Sequence, residues 1–120
     1  MITFNHRQIG NVTILDTDGH LTLGAGVRGL HEKMHELTAA GQINVLLNMA
    51  EVIYVDSSGL GALVGSFTTM AKLGGHLKLL SLTKRVQDLL RLTRLDTTFE
   101  TFTDEAAAVA SFGQADAAGH

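Results

Sequence analysis

"YVDSSGLGALVG", residues 54–65, is the stretch on which the rest of the chain turns: an apolar run ends there in an aspartate and two serines and passes into glycine-rich, leucine-spaced sequence. Leu60, Leu63, Val64, Phe67, Met70 and Leu73 recur at helical offsets and run into Gly74-Gly75, so the spacing predicts a well-buried helix that begins inside the quotation. "NVLLNM" (44–49) reads as the strand that feeds it. An aspartate or serine at such a junction accepts hydrogen bonds from N–H groups that lack an intrahelical partner, an effect of about 1 kcal/mol. One capping residue is enough for that. Asp56, Ser57 and Ser58, followed by Gly59 and Gly61, supply more side-chain oxygens and more backbone access than a cap requires.

Working outward, Ile2–Ile9 alternates well enough to open a sheet, "NVTILD" (11–16) and "HLKLL" (76–80) are compact apolar strands, and "FETF" (99–102) is a weaker edge strand. Val27, Leu30, Met34 and Leu37 form one stripe, which predicts a helix over 26–40 that stops at Gly41. "TKRVQDLLRL" brings Val86, Leu89 and Leu90 together as a third helix. "DEAAAVASF" (104–112) opens with acids where the helix dipole favours them and reads as a fourth. Alternating strands and helices imply an α/β domain with right-handed crossovers. We expect a mixed central sheet of four to five strands with about four helices, parallel at its centre and mixed at its first strands. In such sheets the functional surface lies beyond the carboxyl ends of the strands, and "VDSSG" falls there.

The 120 residues suit one domain, placed at 1–112, with the small, polar "GQADAAGH" (113–120) as a flexible tail. With 45% hydrophobic and 18% charged residues the composition is that of a folding chain. The chain has no cysteine, so neither disulfides nor thiolate metal sites enter. The N-terminus lacks the pattern of a signal peptide, and no apolar run approaches the ~20 residues of a membrane span. A soluble, cytoplasmic protein without membrane insertion is the expectation. Nine basic against twelve acidic residues give a net charge of −3. Direct nucleic-acid binding rests on a dense basic surface, and Lys84, Arg85, Arg91 and Arg94 read instead as the solvated face of one helix.

Two further motifs lead elsewhere. "HEKMH" (31–35) matches the zinc-hydrolase pattern, with His31 and His35 as ligands and Glu32 as general base. The stripe that must face the sheet turns these residues toward solvent, and Thr38 and Gly41 stand where the extended pattern has its glycine and its third histidine, so no metal is expected. "GAGVRG" (24–29) has dinucleotide-motif spacing, yet "HLTLG" separates it from the strand-like run and "NVLLN" supplies no acid for a ribose. It reads as a flexible loop leading to the first helix. Ser57 and Ser58 lack the glycine spacing of a hydrolase elbow, and no histidine is placed as their base. A hydroxyl at a helix mouth can instead carry a phosphate: the dianion would meet free N–H groups and the positive dipole end, and would repel an acidic partner surface.

"VDSSGLGALVG", preceded by "INVLLNMAEVIY" and followed by "GGHLKLLSLTKRVQDLLRLTRLDTTFETF", closely resembles the STAS domain of bacterial anti-sigma-factor antagonists. The resemblance runs from Ile2 to Phe112. It implies a four-helix, mixed-sheet domain in which the serine directly after the aspartate, Ser57, is phosphorylated. The kinase is an anti-sigma factor of the histidine-kinase-like ATPase type. It further implies that the unphosphorylated antagonist binds that partner and frees a sigma factor, and that a serine phosphatase resets the phosphorylated form. Asp56 then flanks the target, and Ser58, Gly59, Leu60 and Gly61 form the helix start that the partner covers. On this reading the protein is substrate and binding module, without a cofactor, and not a catalyst. Many members carry Gly-x-Leu-Asp after the second strand, an aspartate of the partner-facing surface; here "GHLTLG" puts Thr22 in its place, either as a recognition residue or as a local cap. That departure keeps a second reading open, a STAS subunit of a stressosome or of a phospholipid-transport ABC complex. Small-molecule sensing lacks a motif, and leucine-rich strand edges make a homodimer possible.

Overall fold

The computed structural model describes residues 2–118, with side chains described as far as residue 113. The chain order is β1 (Ile2–Ile9), β2 (Val12–Leu21), α1 (Ala25–Ala39), β3 (Asn44–Val55), α2 (Ser57–Lys72), β4 (His76–Leu80), α3 (Lys84–Leu92), a 3-10 turn (Leu95–Thr97), β5 (Thr101–Phe102) and α4 (Glu105–Ala118). One five-stranded sheet has the order β1-β2-β3-β4-β5. β1 and β2 are antiparallel, joined by a tight turn in which Gly10 takes a positive φ of 59°. The pairs β2–β3, β3–β4 and β4–β5 are parallel. The mixed sheet with four helices is the architecture that the alternation of elements implied.

Two layers of helix bury the sheet. On one face Leu30, Met34 and Leu37 of α1, Leu60, Leu63 and Met70 of α2, and Val86 and Leu90 of α3 pack on Leu15, Val45, Leu47, Met49 and Leu79. On the other, Ala108 and Phe112 of α4 cover Val12, Ile14, Leu46 and Leu80. This explains the unbroken "VLL" at 45–47: a strand covered on both faces has no polar side to alternate with.

The structure departs from the sequence reading at several element ends. β2 and β3 do not stop at Asp16 and Met49 but run on to Leu21 and Val55, because each pairs with the other through the polar stretch. The register slips between Asp16 and Asp18 and again between Gly19 and His20, with the extra residue on β3 each time. Leu73, assigned above to the buried stripe of α2, caps the helix and is 51% exposed. Phe99 lies before β5 rather than in it, buried edge-to-face against Phe67 with ring centroids 5.3 Å apart. The backbone at 113–118 continues α4 where a tail was expected; its alanines are the best helix formers. The last two positions of that tail lie outside the described residues.

α4 is fastened to the sheet by charge as well as by packing. Arg7 of β1 donates to both carboxylate oxygens of Asp16, at 2.6 and 2.9 Å, and to both of Glu105, at 2.6 and 3.1 Å. Asn48 donates to Asp16 at 2.8 Å. Lys78, buried in β4, reaches Ser111 at 3.0 Å and Glu100 at 2.9 Å, with its ammonium 4.7 Å from the Phe112 ring centroid. The hydrogen bonds from Arg7 hold Asp16 and Glu105 below their ordinary carboxylate range. Carboxylates depressed in the folded state stabilise it above their unfolded pKa and lose that contribution as pH falls through the folded value. Stability should therefore decline between about pH 5 and pH 2. In Arg7→Gln the decline over that window, followed by urea denaturation, should be flatter and start from a lower plateau.

Candidate functional site

β2 and β3 end side by side, Leu21 paired with Val55, and from there the chain enters α1 and α2. Asp56 joins the two exits. Its extended backbone (φ −99°, ψ −175°) caps α2, with one carboxylate oxygen accepting the Gly59 N–H at 2.8 Å. The other accepts the Leu23 N–H from the β2–α1 loop at 3.0 Å. These bonds, from Leu23 first and then Gly59, lower the pKa of Asp56, so the carboxylate stays charged. The Asp56 N–H donates to the Leu21 carbonyl at 3.4 Å, and the Asp56 carbonyl accepts from Leu60 at 2.9 Å.

Close backbone approach explains two of the glycines. A Cβ on Gly59 would sit 2.0 Å from the Leu21 carbonyl oxygen, and one on Gly26 would sit 2.3 Å from that of His20. Gly26 of "GAGVRG" thus seats α1 against the end of β2, whereas a Cβ on Gly29 would meet Ile2 of β1. Gly26 and Gly29 already belong to the helix, and only Gly24, at φ 99°, is loop. Thr22 is half-buried, and its carbonyl accepts the Val27 N–H at 3.0 Å in the first turn of α1.

Of the residues singled out above, Asp56, Ser57, Ser58, Gly61 and Thr22 come together at the carboxyl end of the parallel strands. Ser57 is exposed as the first residue of α2, and its hydroxyl makes no hydrogen bond among the described residues. Gly61 is exposed with open space where a Cβ would be. Gly59 and Leu60 differ: both are buried, Leu60 within the core that α1 and α2 share, so they shape the site from beneath. His31, Glu32 and His35 are exposed on α1. The two histidines border a groove of about 440 Å³ between α1 and α2 with Ser66 and Thr69, and no group of three or more His, Cys, Asp or Glu is placed to hold a metal ion among the described residues.

Sequence reasoning missed the apolar margin of the site. Leu23 is 76% exposed, Ile53 60% and Tyr54 50%. Ile53 and Tyr54 are adjacent in the chain, and both stand outward because the second register slip adds a residue to β3 between Val52 and Tyr54, whereas Val52 and Val55 point into the core. The uninterrupted "VIYV" held the signal, since strict alternation cannot bury both valines. Tyr54 lies between two other side chains. The His20 ring is 6.0 Å away on β2, and the Arg85 guanidinium, from the first turn of α3, is 4.9 Å from the ring centroid. An exposed cation–π contact of this kind contributes about 0.5–1 kcal/mol.

The arrangement is a two-loop platform presenting a hydroxyl that makes no hydrogen bond among the described residues, and it is carried on a fold shared with known proteins. The model of the STAS domain matches residues 3–108. The chain belongs to the STAS family. The anti-sigma-B factor antagonist of Bacillus subtilis (strain 168) is 39% identical over 66 residues, which are 55% of this chain and 60% of that protein. The match therefore spans less than two thirds of that relative. An anti-sigma factor antagonist from Mycobacterium paratuberculosis superposes with a TM-score of 0.79 at 18% identity, covering 93% of this chain and 94% of that one. The Bacillus cell fate determinant SpoIIAA in its phosphorylated form gives 0.70 at 17% identity, over 91% and 98% of the two chains. Its unphosphorylated form gives 0.68. At these identities the structural likeness establishes the fold.

The two glycines at the head of α2 should respond oppositely to alanine. Gly61→Ala fills open space in a helix interior and should stabilise the domain by about 0.5–1 kcal/mol. Gly59→Ala drives a methyl into backbone and should destabilise it by about 2 kcal/mol or more. Urea denaturation of the two variants checks both signs.

Proposed function

We propose that this chain is an anti-sigma-factor antagonist that works by partner switching, with Ser57 as the phosphorylated residue. The observation that carries the reading is the exposed Ser57 hydroxyl, directly after a carboxylate whose two oxygens accept the N–H groups of Leu23 and Gly59. Because Asp56 already closes the helix cap, Ser57 is not needed for that task and is left to a partner. In the unphosphorylated state the platform of Thr22, Leu23, Asp56, Ser57, Ser58 and Gly61 docks on an anti-sigma factor that is also a serine kinase of the histidine-kinase-like ATPase type, and a sigma factor is freed. In the kinase site the Ser57 oxygen attacks the γ-phosphorus of ATP. The bond from that phosphorus to the bridging oxygen breaks as ADP leaves, and the serine proton passes to a base of the kinase. A serine phosphatase returns the hydroxyl by hydrolysis. The chain acts as substrate and binding module, in the cytoplasm, and catalyses neither step.

The phosphate adds a charge of about −1.5 to −2 beside an aspartate that is already ionised. A partner surface that brings its own acids to this edge is then repelled, while the first N–H groups of α2 accommodate the new oxygens without refolding. A related domain known in both phosphorylated and unphosphorylated forms supports a switch that leaves the fold in place. Thr22, where many members carry an acid, favours a second reading: a STAS subunit of a stressosome or a phospholipid-transport ABC assembly in which the hydroxyl stays unmodified.

One experiment separates the two. The purified chain is incubated with ATP and the histidine-kinase-like anti-sigma factor of its own genome, and intact mass is recorded before and after. We expect one added phosphate, absent in Ser57→Ala, and at least a tenfold loss of kinase binding in the phosphorylated form. No added phosphate would assign the protein to the second reading, and a phosphate that persists in Ser57→Ala would overturn Ser57 as the modified residue.

A further inference from the structure

The structure points to a residue outside the platform that takes part in the switch. β4 ends at Leu80, opposite Asn48, whereas β3 continues to Val55, so the last part of β3 has no strand beside it on the β4 side. After β4 the chain turns through Ser81, a non-glycine residue at φ 57°, whose N–H donates to the Phe102 carbonyl at 2.8 Å. It then starts α3 beside that extension, with Thr83 capping the helix by accepting from Val86 at 3.3 Å. Arg85, the second residue of α3, thereby comes to rest on the Tyr54 ring at 4.9 Å, three residues before Ser57. α2 follows β3 directly at Ser57, and Arg85 meets that strand at Tyr54, three residues earlier in the chain.

Arg85 is held there loosely. Its neighbours on α3 are paired, Lys84 with Asp88 at 3.3 Å and Arg91 with Asp88 at 3.8 Å. Arg85 has no carboxylate within salt-bridge distance among the described residues. Its visible tether is the tyrosine face, an exposed cation–π contact. A phosphate offers the same fork charge-assisted, bidentate hydrogen bonds, which are stronger. We infer that Arg85 is the internal counter-cation of the switch: when Ser57 carries a phosphate, Arg85 leaves the Tyr54 face and pairs with it. The inference rests on Ser57 being the modified residue. It adds a second consequence of modification, because the same movement uncovers Tyr54 and removes a positive charge from the apolar margin made by Leu23, Ile53 and Tyr54. The phosphorylated face then differs from the unmodified one in two places, at α2 and at α3.

The chain supplies its own reporter. It contains one tyrosine and no tryptophan, so its ultraviolet emission comes from Tyr54 alone. Phosphoserine is placed at position 57 by genetic encoding, which needs no kinase and keeps this test independent of whether one exists in the cell. Tyr54 emission and the Arg85 side-chain N–H resonance are compared between the serine and phosphoserine proteins, and the phosphate is titrated by phosphorus NMR in the wild-type background, Arg85→Gln and Lys84→Gln. We expect Tyr54 emission and the Arg85 resonance both to shift on phosphorylation. The second phosphate pKa should lie about 0.7 lower with Arg85 than in Arg85→Gln, the effect of one cation paired about 4 Å away in water, and Lys84→Gln should leave it near the wild-type value. An unmoved Arg85 resonance, or equal titration in wild type and Arg85→Gln, would overturn the inference. So would an equal effect of Lys84→Gln and Arg85→Gln, which would indicate a diffuse field. Failure of the kinase to modify Ser57 would remove the functional reading while leaving this result to stand on its own.

Discussion

The Asp56 carboxylate is the interaction on which the geometry of the site depends. One oxygen closes the first turn of α2 and the other holds the β2–α1 loop, so two chain segments far apart in sequence are set by a single ionised group. Without it the Leu23 N–H and the Gly59 N–H would both look to water, and the loop would be free to drift from the helix start. The close approach that makes Gly59 a glycine belongs to the same arrangement, since the helix start rests on the Leu21 carbonyl. Ser57 is exposed as a consequence: the cap is occupied and the backbone beneath is packed, and the next side chain has only solvent to face.

The molecule separates what keeps it folded from what it presents. The charged fastenings of α4, through Arg7, Asp16 and Glu105 at one end and Lys78, Ser111 and Glu100 at the other, lie on the opposite face of the sheet from α1 and α2. The platform edge carries exposed Leu23, Ile53 and Tyr54, side chains that do nothing for the core. Single exposed apolar residues are ordinary, but a group of them bordering an unengaged hydroxyl and an exposed glycine is the composition of a docking margin. The domain can change that edge at little cost to its interior.

Much of this was legible in the sequence, for identifiable reasons. The order of strands and helices followed from periodicity, and the junction at 54–65 showed itself because aspartate, serine and glycine rarely interrupt such an apolar run without a chain reversal. The outward direction of His31, Glu32 and His35 followed from Leu30, Met34 and Leu37, the inward stripe of the same helix. What escaped were features produced by pairing. β2 and β3 persist through Asp16–Gly19 and Ala50–Glu51 because each has the other's backbone beside it, which local hydrophobicity does not record. The outward turn of both Ile53 and Tyr54 is a register slip between two strands, and the contact of Arg85 with Tyr54 joins elements separated by thirty residues. Gly59 and Leu60 were both assigned to the partner-facing surface by their place in a motif, although the apolar stripe through Leu63 already put Leu60 in the core; both lie beneath the surface.

A local charge is sufficient for the switch when magnitudes are compared. A domain of this size is stable by about 5–15 kcal/mol, and a mechanism that unfolded the site would have to overcome a sizeable part of that. Two unit charges about 6 Å apart near a protein surface interact by about 3 kcal/mol at an effective dielectric of 20 and by under about 1 kcal/mol in water. A phosphate near −2 facing even one acid of a partner at that distance therefore weakens binding by about tenfold in water, and by more where the interface lowers the effective dielectric. That range is enough to exchange one partner for another at cellular concentrations while remaining below the stability of the fold. The requirement is that the charge appear on a rigid support, because a flexible loop would carry its phosphate away from the partner's acid and dissipate the repulsion in water. Asp56 provides that rigidity by fastening the serine-bearing turn to the neighbouring loop, so the physical basis of the switch lies as much in this capping carboxylate as in the hydroxyl it presents.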